Sequence, residues 1–173
     1  MTISLYDISV ASYLQVLGGA NVFLDKGRSY CEENGIDLKE VVETRLYPDM
    51  LPFSFQVVSI AHHSLGAIKG VESGEFSPPG DPGNLDYAGL QKLVTDAYEA
   101  LEKYDRNTVD GFEGKDIQFR MGDTAIPFTA ENFVMSFSLP NLYFHSATAY
   151  DILRMKGVPI GKRHFMGRLR MNT

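Results

Sequence analysis

Asn141 and His145 stand four residues apart in the stretch Pro140-Asn141-Leu142-Tyr143-Phe144-His145, inside a helical pattern that runs from Thr129 to Lys156. On an α-helix this spacing puts both side chains on one face, the arrangement by which one helix offers two ligands to a single metal ion. Imidazole is a good donor to zinc and a carboxamide a poor one, so the pair marks a polar site without fixing its chemistry. Val134, Ser138, Asn141, His145, Ala149 and Ile152 form one row along this helix. Phe133, Phe137, Phe144, Thr148 and Ile152 form the row beside it, mostly apolar as core positions should be. Asn141 and His145 are therefore expected to face inward. Pro140 removes a backbone N–H and crowds the carbonyl of Ser136, so a kink is predicted beside the pair. A buried His and Asn can equally satisfy each other or a neighbouring helix, because an unpaired buried polar group costs about 1–3 kcal/mol. Both readings stand at this level.

The second long helix carries the facing groups. Gln56, Ser59 and His63 fall on one polar stripe, beside an apolar one of Phe53, Val57, Ile60, Ser64 and Ile68. His62 points about 100° away from His63, so only one of the two turns inward; that one is His63, and His62 is expected at the surface. Asp49 precedes the helix N-terminus, where a carboxylate reads as a cap or as one wall of a pocket mouth. His164 reads as solvated and Cys31 as a small core residue with no activating base nearby. The chain has no Gly-rich phosphate loop, no His-Glu-x-x-His and no Cys-x-x-Cys.

Four long helices must position these groups. The first spans about Ser4 to Asn34, stopped by Asn34-Gly35, and Gly18-Gly19 in its middle predicts close approach of another helix. A short helix covers Leu38–Thr44, and the second long helix starts after Pro48-Asp49-Met50-Leu51-Pro52 and continues to about Val71. Gly70 to Asp86 reads as a loop; Asp86 or Asn84 caps the third helix, which ends near Asp105. Ile117, Phe119 and Met121, the Gly122-Asp123 turn, and Ile126 and Phe128 predict a β-hairpin at about 116–128, with Pro127 making the second strand an edge. Thr129 caps the last helix, and Gly157 with Pro159 ends it. The fold class is all-α, one domain over 1–173, with the hairpin between the third and fourth long helices and a basic tail over 158–173.

With 44% apolar residues, 12% aromatics and no Trp, the chain has the makings of an ordinary core. No apolar run approaches the roughly 20 residues that span a bilayer, and the first residues lack the basic start and apolar stretch of a signal peptide. One cysteine forms no internal disulfide and suits a reducing cytoplasm. The net charge of −6 divides into −11 over residues 1–150 and +5 over 151–173. The acidic majority argues against a nucleic-acid partner, and the basic end reads as a helix C-terminus followed by a solvated tail. A cytoplasmic protein without a membrane partner is expected.

Tyr6-Asp7, Arg45-Leu46-x-Pro48-Asp49-Met50-x-Pro52, Leu139-Pro140-Asn141-x-Tyr143-Phe144-His145, Ala149-Tyr150-x-Ile152-Leu153-Arg154 and Gly157-Val158-x-Ile160-Gly161-Lys162 together resemble a bacterial branch of the DinB/YfiT-like superfamily to which no function is assigned. The resemblance spans nearly the whole chain. It implies a four-helix bundle with up-down-down-up connections, often a homodimer. It also implies a divalent metal, zinc or nickel, held by one histidine of the second helix and two of the last, in proteins that include thiol S-transferases and metal-dependent hydrolases. Carried over by position, the last-helix pair falls on Asn141 and His145 and the second-helix ligand near Ser59. Only His145 keeps the imidazole, with His63 one turn beyond Ser59 and Asp49 as the compensating donors. Two functions follow as expectations. One is a pocket protein with a degenerate metal site and a small-molecule ligand; the other is a divalent-metal-dependent enzyme of the thiol S-transferase or hydrolase type.

Overall fold

The computed structural model describes residues 3–80 and 83–171. Residues 1–2, 81–82 and 172–173, at the chain ends and within the expected Gly70–Asp86 loop, lie outside the described residues. The expected first helix is two: α1 (Leu5–Ile8) and α2 (Val10–Glu33), broken where Ser9 leaves helical geometry at φ −103°, ψ −92°. The Leu5 carbonyl accepts from both the Ser9 N–H at 3.0 Å and the Ser9 hydroxyl at 2.5 Å. The helix stops as its residues predict, Gly35 holding φ +67° where a Cβ would be strained. Asp37 caps α3 (Leu38–Glu43) by accepting from Lys39 N at 2.9 Å.

The second long helix comprises α4 (Phe53–Ala61), a π-helical turn (His62–Gly66) and α5 (Ala67–Ser73), with Pro52 at the N-cap position. In the expected loop, Glu75–Phe76 forms β1, which pairs in parallel with a strand of the hairpin, so the sheet has three strands instead of two. Asp86 caps α6 (Tyr87–Leu101) by accepting from Gly89 N at 2.8 Å. That helix ends four residues before the expected Asp105, which caps a further short helix, α7 (Arg106–Asp110). The hairpin is β2 (Asp116–Met121) and β3 (Thr124–Thr129), with β3 at the edge as Pro127 requires. Its apolar face is only half used: Ile117 and Phe119 are buried, whereas Met121 and Ile126 are exposed.

Thr129 caps the last long helix, which runs as α8 (Ala130–Phe133), a second π-helical turn (Val134–Ser138) and α9 (Leu139–Met155), and Gly157 at φ +93° ends it. α10 (Lys162–Met166) follows. The four long helical segments pack around a shared core, α2 against α6 and α9, and α4 against α6 and α9. Tyr13, Leu17, Phe23, Phe53, Ile60, Leu90, Leu101, Phe133 and Ile152 fill it. The C-terminal segment is docked, not a free solvated tail. α10 lies on α2, Gln15 donates to the Met166 carbonyl at 3.0 Å, and a Cβ on Gly19 would collide with the Phe165 carbonyl. The close approach expected at Gly18-Gly19 is met here, by the chain's own end.

The π turns meet in the core. Tyr13 Oη lies 2.7 Å from Ser138 Oγ, and Ser138 Oγ donates to the His63 carbonyl at 2.7 Å, joining α2 to both turns. Because the Ser138 proton goes to that carbonyl, Tyr13 is the donor in the other bond. Ser138→Ala would leave the buried Tyr13 hydroxyl without its acceptor, whereas Tyr13→Phe strands no group. Urea unfolding is expected to show a loss of about 1–3 kcal/mol for Ser138→Ala and about 1 kcal/mol for Tyr13→Phe; the reverse order would refute the relay.

Candidate functional site

The Gln56/Ser59/His63 stripe of the second helix and the Asn141/His145 pair of the last face each other, because α4 packs on α9. Gln56, Ser59 and His63 are buried, while Asn141 and His145 are half-buried. Gln56 joins the two helices. Its Nε2 donates to the Leu51 carbonyl at 2.9 Å, which turns Oε1 toward His145 Nδ1 at 2.8 Å. An amide oxygen only accepts, so Nδ1 carries the proton and His145 Nε2 is left with a free lone pair.

Asn141 does not pair with His145. Its Nδ2 donates to the Phe137 carbonyl one turn back at 2.7 Å, so the amide serves the backbone in the region where the π turn and Pro140 disturb the ladder. The disturbance expected from Pro140 takes the form of that π turn. His63 stacks on His145 with ring centroids 5.7 Å apart and planes 13° apart. Phe76 at 5.6 Å and Phe137 at 5.8 Å enclose the His63 ring further. Phe55 and Phe144 meet the His145 ring edge-on at 5.8 and 5.2 Å.

Several placements differ from expectation. Phe144 is 57% exposed, outside the core row assigned to it. His62 is half-buried against Phe76 at 4.4 Å, its Nε2 2.8 Å from the Ser77 carbonyl, because β1 and the segment after it fold back over this turn. His164 is half-buried and accepts from Gly161 N at 2.9 Å. Asp49 is exposed in the turn before α4, and Pro52 holds the N-cap position expected of it. Cys31 is buried and free, and burial raises its thiol pKa, as a core residue should show. The aromatic enclosure of His63 escaped the sequence reading, because Phe76 sits in what read as a loop.

Every titratable group of the cluster is held neutral. Burial lowers His145 to about 4. Burial, then the neighbouring His62 and His145 rings, lowers His63 to about 3. Buried Ser59 Oγ and His63 Nδ1 have no hydrogen-bond partner among the described residues.

The superfamily's metal can be tested against these donors. Among the described residues the cluster offers two neutral imidazoles, one hydroxyl and the weak amide oxygen of Asn141, with Gln56 already committed and no carboxylate or thiolate within it. Among the described residues no group of three or more His, Cys, Asp or Glu side chains is placed to hold a metal ion. A closed zinc site needs four donors and a catalytic one three plus a solvent position, so these residues do not fit a tight divalent centre.

The family profile of a domain of unknown function (DUF1993) matches residues 5–166, and the chain belongs to that family. The crystal structure of a DinB family member from Shewanella denitrificans superposes with a TM-score of 0.81 at 24% identity, covering 98% of this chain and 95% of that one. The fold is therefore DinB-like. Comparison with curated proteins gives no match. No helix among the described residues is long and apolar enough to cross a membrane.

The depressed histidines set a pH dependence. The unfolded chain takes up protons near pH 6.5, whereas folded His63 and His145 refuse them down to about 3 and about 4. Stability is thus full above pH ~6.5 and falls as pH drops toward ~4, by at most about 1.4 kcal/mol per pH unit for His63 and by less for half-buried His145. Denaturant titrations from pH 7.5 to 4.5 should show this slope and its reduction in His63→Gln; an unchanged slope would contradict it.

Proposed function

We propose that this DUF1993 member is a small-molecule-binding protein on an up-down-down-up four-helix bundle, with an uncharged hydrogen-bonding cluster where relatives in the superfamily hold a metal. The observation that carries this reading is the Gln56–His145 bond. It engages the amide oxygen and fixes the imidazole tautomer. A divalent ion there would lack a compensating charge among phenylalanine rings, an arrangement that buried charge disfavours. The cluster instead presents His145 Nε2, an acceptor flanked by Phe55 and Phe144, to an N–H or O–H donor on an uncharged ligand. The free, buried Cys31 suits a cytoplasmic setting, the superfamily resemblance supports a homodimer, and the net charge of −6 with the lack of a long apolar run weighs against nucleic-acid or membrane partners.

Elemental analysis of untagged protein after exhaustive dialysis tests the central point. Far less than one zinc or nickel per chain is expected, and a stoichiometric metal would overturn the reading. Light scattering on a sizing column checks the homodimer, for which twice the chain mass is expected.

One observation favours a second reading, a divalent-metal-dependent enzyme of the thiol S-transferase or hydrolase type. Ser59 Oγ and His63 Nδ1 are buried without partners among the described residues, as donors awaiting a cation would be. Under this reading His145→Ala loses metal and turnover together, and retention of metal by that variant would end it.

A further inference from the structure

A cleft of about 800 Å³ lies between α3, the first turns of α4 and the start of α6. Small-molecule sites commonly enclose about 300–1,000 Å³. Leu38, Val42, Leu51, Phe55, Val58 and Leu90 make its walls largely apolar. The cleft is distinct from the histidine cluster, since neither His63 nor His145 lines it, although Phe55 is common to both. A second cleft, of about 340 Å³ beside Asp7 and Arg170, is smaller and opens on the opposite helix pairing.

Four charged side chains ring the larger cleft, and two of them are already engaged. Arg28 pairs with Glu32 at 2.8 Å, and Asp86 caps α6. Lys39 and Glu43 remain. Neither side chain makes a hydrogen bond or ion pair among the described residues, although they stand four apart on α3. Lysine before glutamate is the weaker order for such a pair, which leaves both charges available at the rim. Their Cβ atoms lie about 5–6 Å apart at this spacing. The termini of a two-residue peptide lie at most about 7 Å apart, within reach of two flexible side chains that start from Cβ atoms this far apart. An occupant of one charge sign would leave one rim group unanswered, whereas one with both answers each.

We propose that this cleft binds a short zwitterionic peptide with bulky apolar side chains, its carboxylate on Lys39, its ammonium on Glu43 and its side chains against Leu38, Val42, Phe55 and Val58. The proposal concerns a different site from the histidine cluster. A stoichiometric metal would overturn the reading of that cluster and leave this one standing, while failure to bind peptide would do the converse.

Isothermal titration with leucyl-phenylalanine, its N-acetyl form and its C-terminal amide provides the test. The free dipeptide should bind about fivefold more tightly than either blocked form, the scale of one rim ion pair. Glu43→Gln should abolish the preference for the free ammonium and keep that for the free carboxylate, and Lys39→Gln should do the reverse. Val58→Trp fills the cleft and should eliminate binding of all three. Leu51→Trp, at a half-exposed wall position outside the core, serves the same purpose should the Val58 variant lose its unfolding transition. No binding by the native chain, equal binding of free and blocked peptides, or undiminished binding by a folded cleft-filling variant would each overturn the proposal.

Discussion

A single carboxamide bonds the second long helix to the last. Gln56 donates to the Leu51 carbonyl at the start of its own helix and accepts from His145 on the facing one. Neither bond carries formal charge, and both are partly buried, so losing either would weaken the pairing of a polar group by about 1 kcal/mol. The tautomer of His145 depends on that one side chain. The rest of the cluster is arranged around a neutral imidazole, and burial keeps it neutral.

Neutral imidazole is also the form that binds metal, so it is the shortage of donors among the described residues that separates the site from a metal centre. The two imidazoles lie with planes 13° from parallel and centroids 5.7 Å apart, and Nδ1 of His145 is already bonded to Gln56. Phe76 and Phe137 complete an apolar enclosure. The DinB-like fold thus carries a constellation whose chemistry is hydrogen bonding and ring packing, consistent with function residing in sites that vary over a common fold.

Much of this was legible in the residues. Asp86 and Thr129 cap helices as their types predict, Gly35 and Gly157 end them, and the hairpin turns at Gly122-Asp123. Gln56, Ser59 and His63 share a buried face because helical periodicity alone places them there. Other features lay beyond periodicity. The break at Ser9, whose N–H and hydroxyl both bond the Leu5 carbonyl, has no Gly or Pro beside it to announce it. The strand at Glu75–Phe76 is two residues long and exists through its partner. The commitment of Asn141 to the Phe137 carbonyl depends on a backbone irregularity that no spacing of apolar residues announces.

The two π turns carry a consequence for comparing this chain with its relatives. Each holds one more residue per turn than the α-helix around it, so side chains beyond it are rotated by about 100° from the phase that residue counting assigns. Two homologues, one with and one without the extra residue, would present equivalent groups at sequence offsets differing by one. Transferring ligand positions between them by counting alone would therefore select a neighbour pointing elsewhere, and only superposed backbones recover the true equivalence.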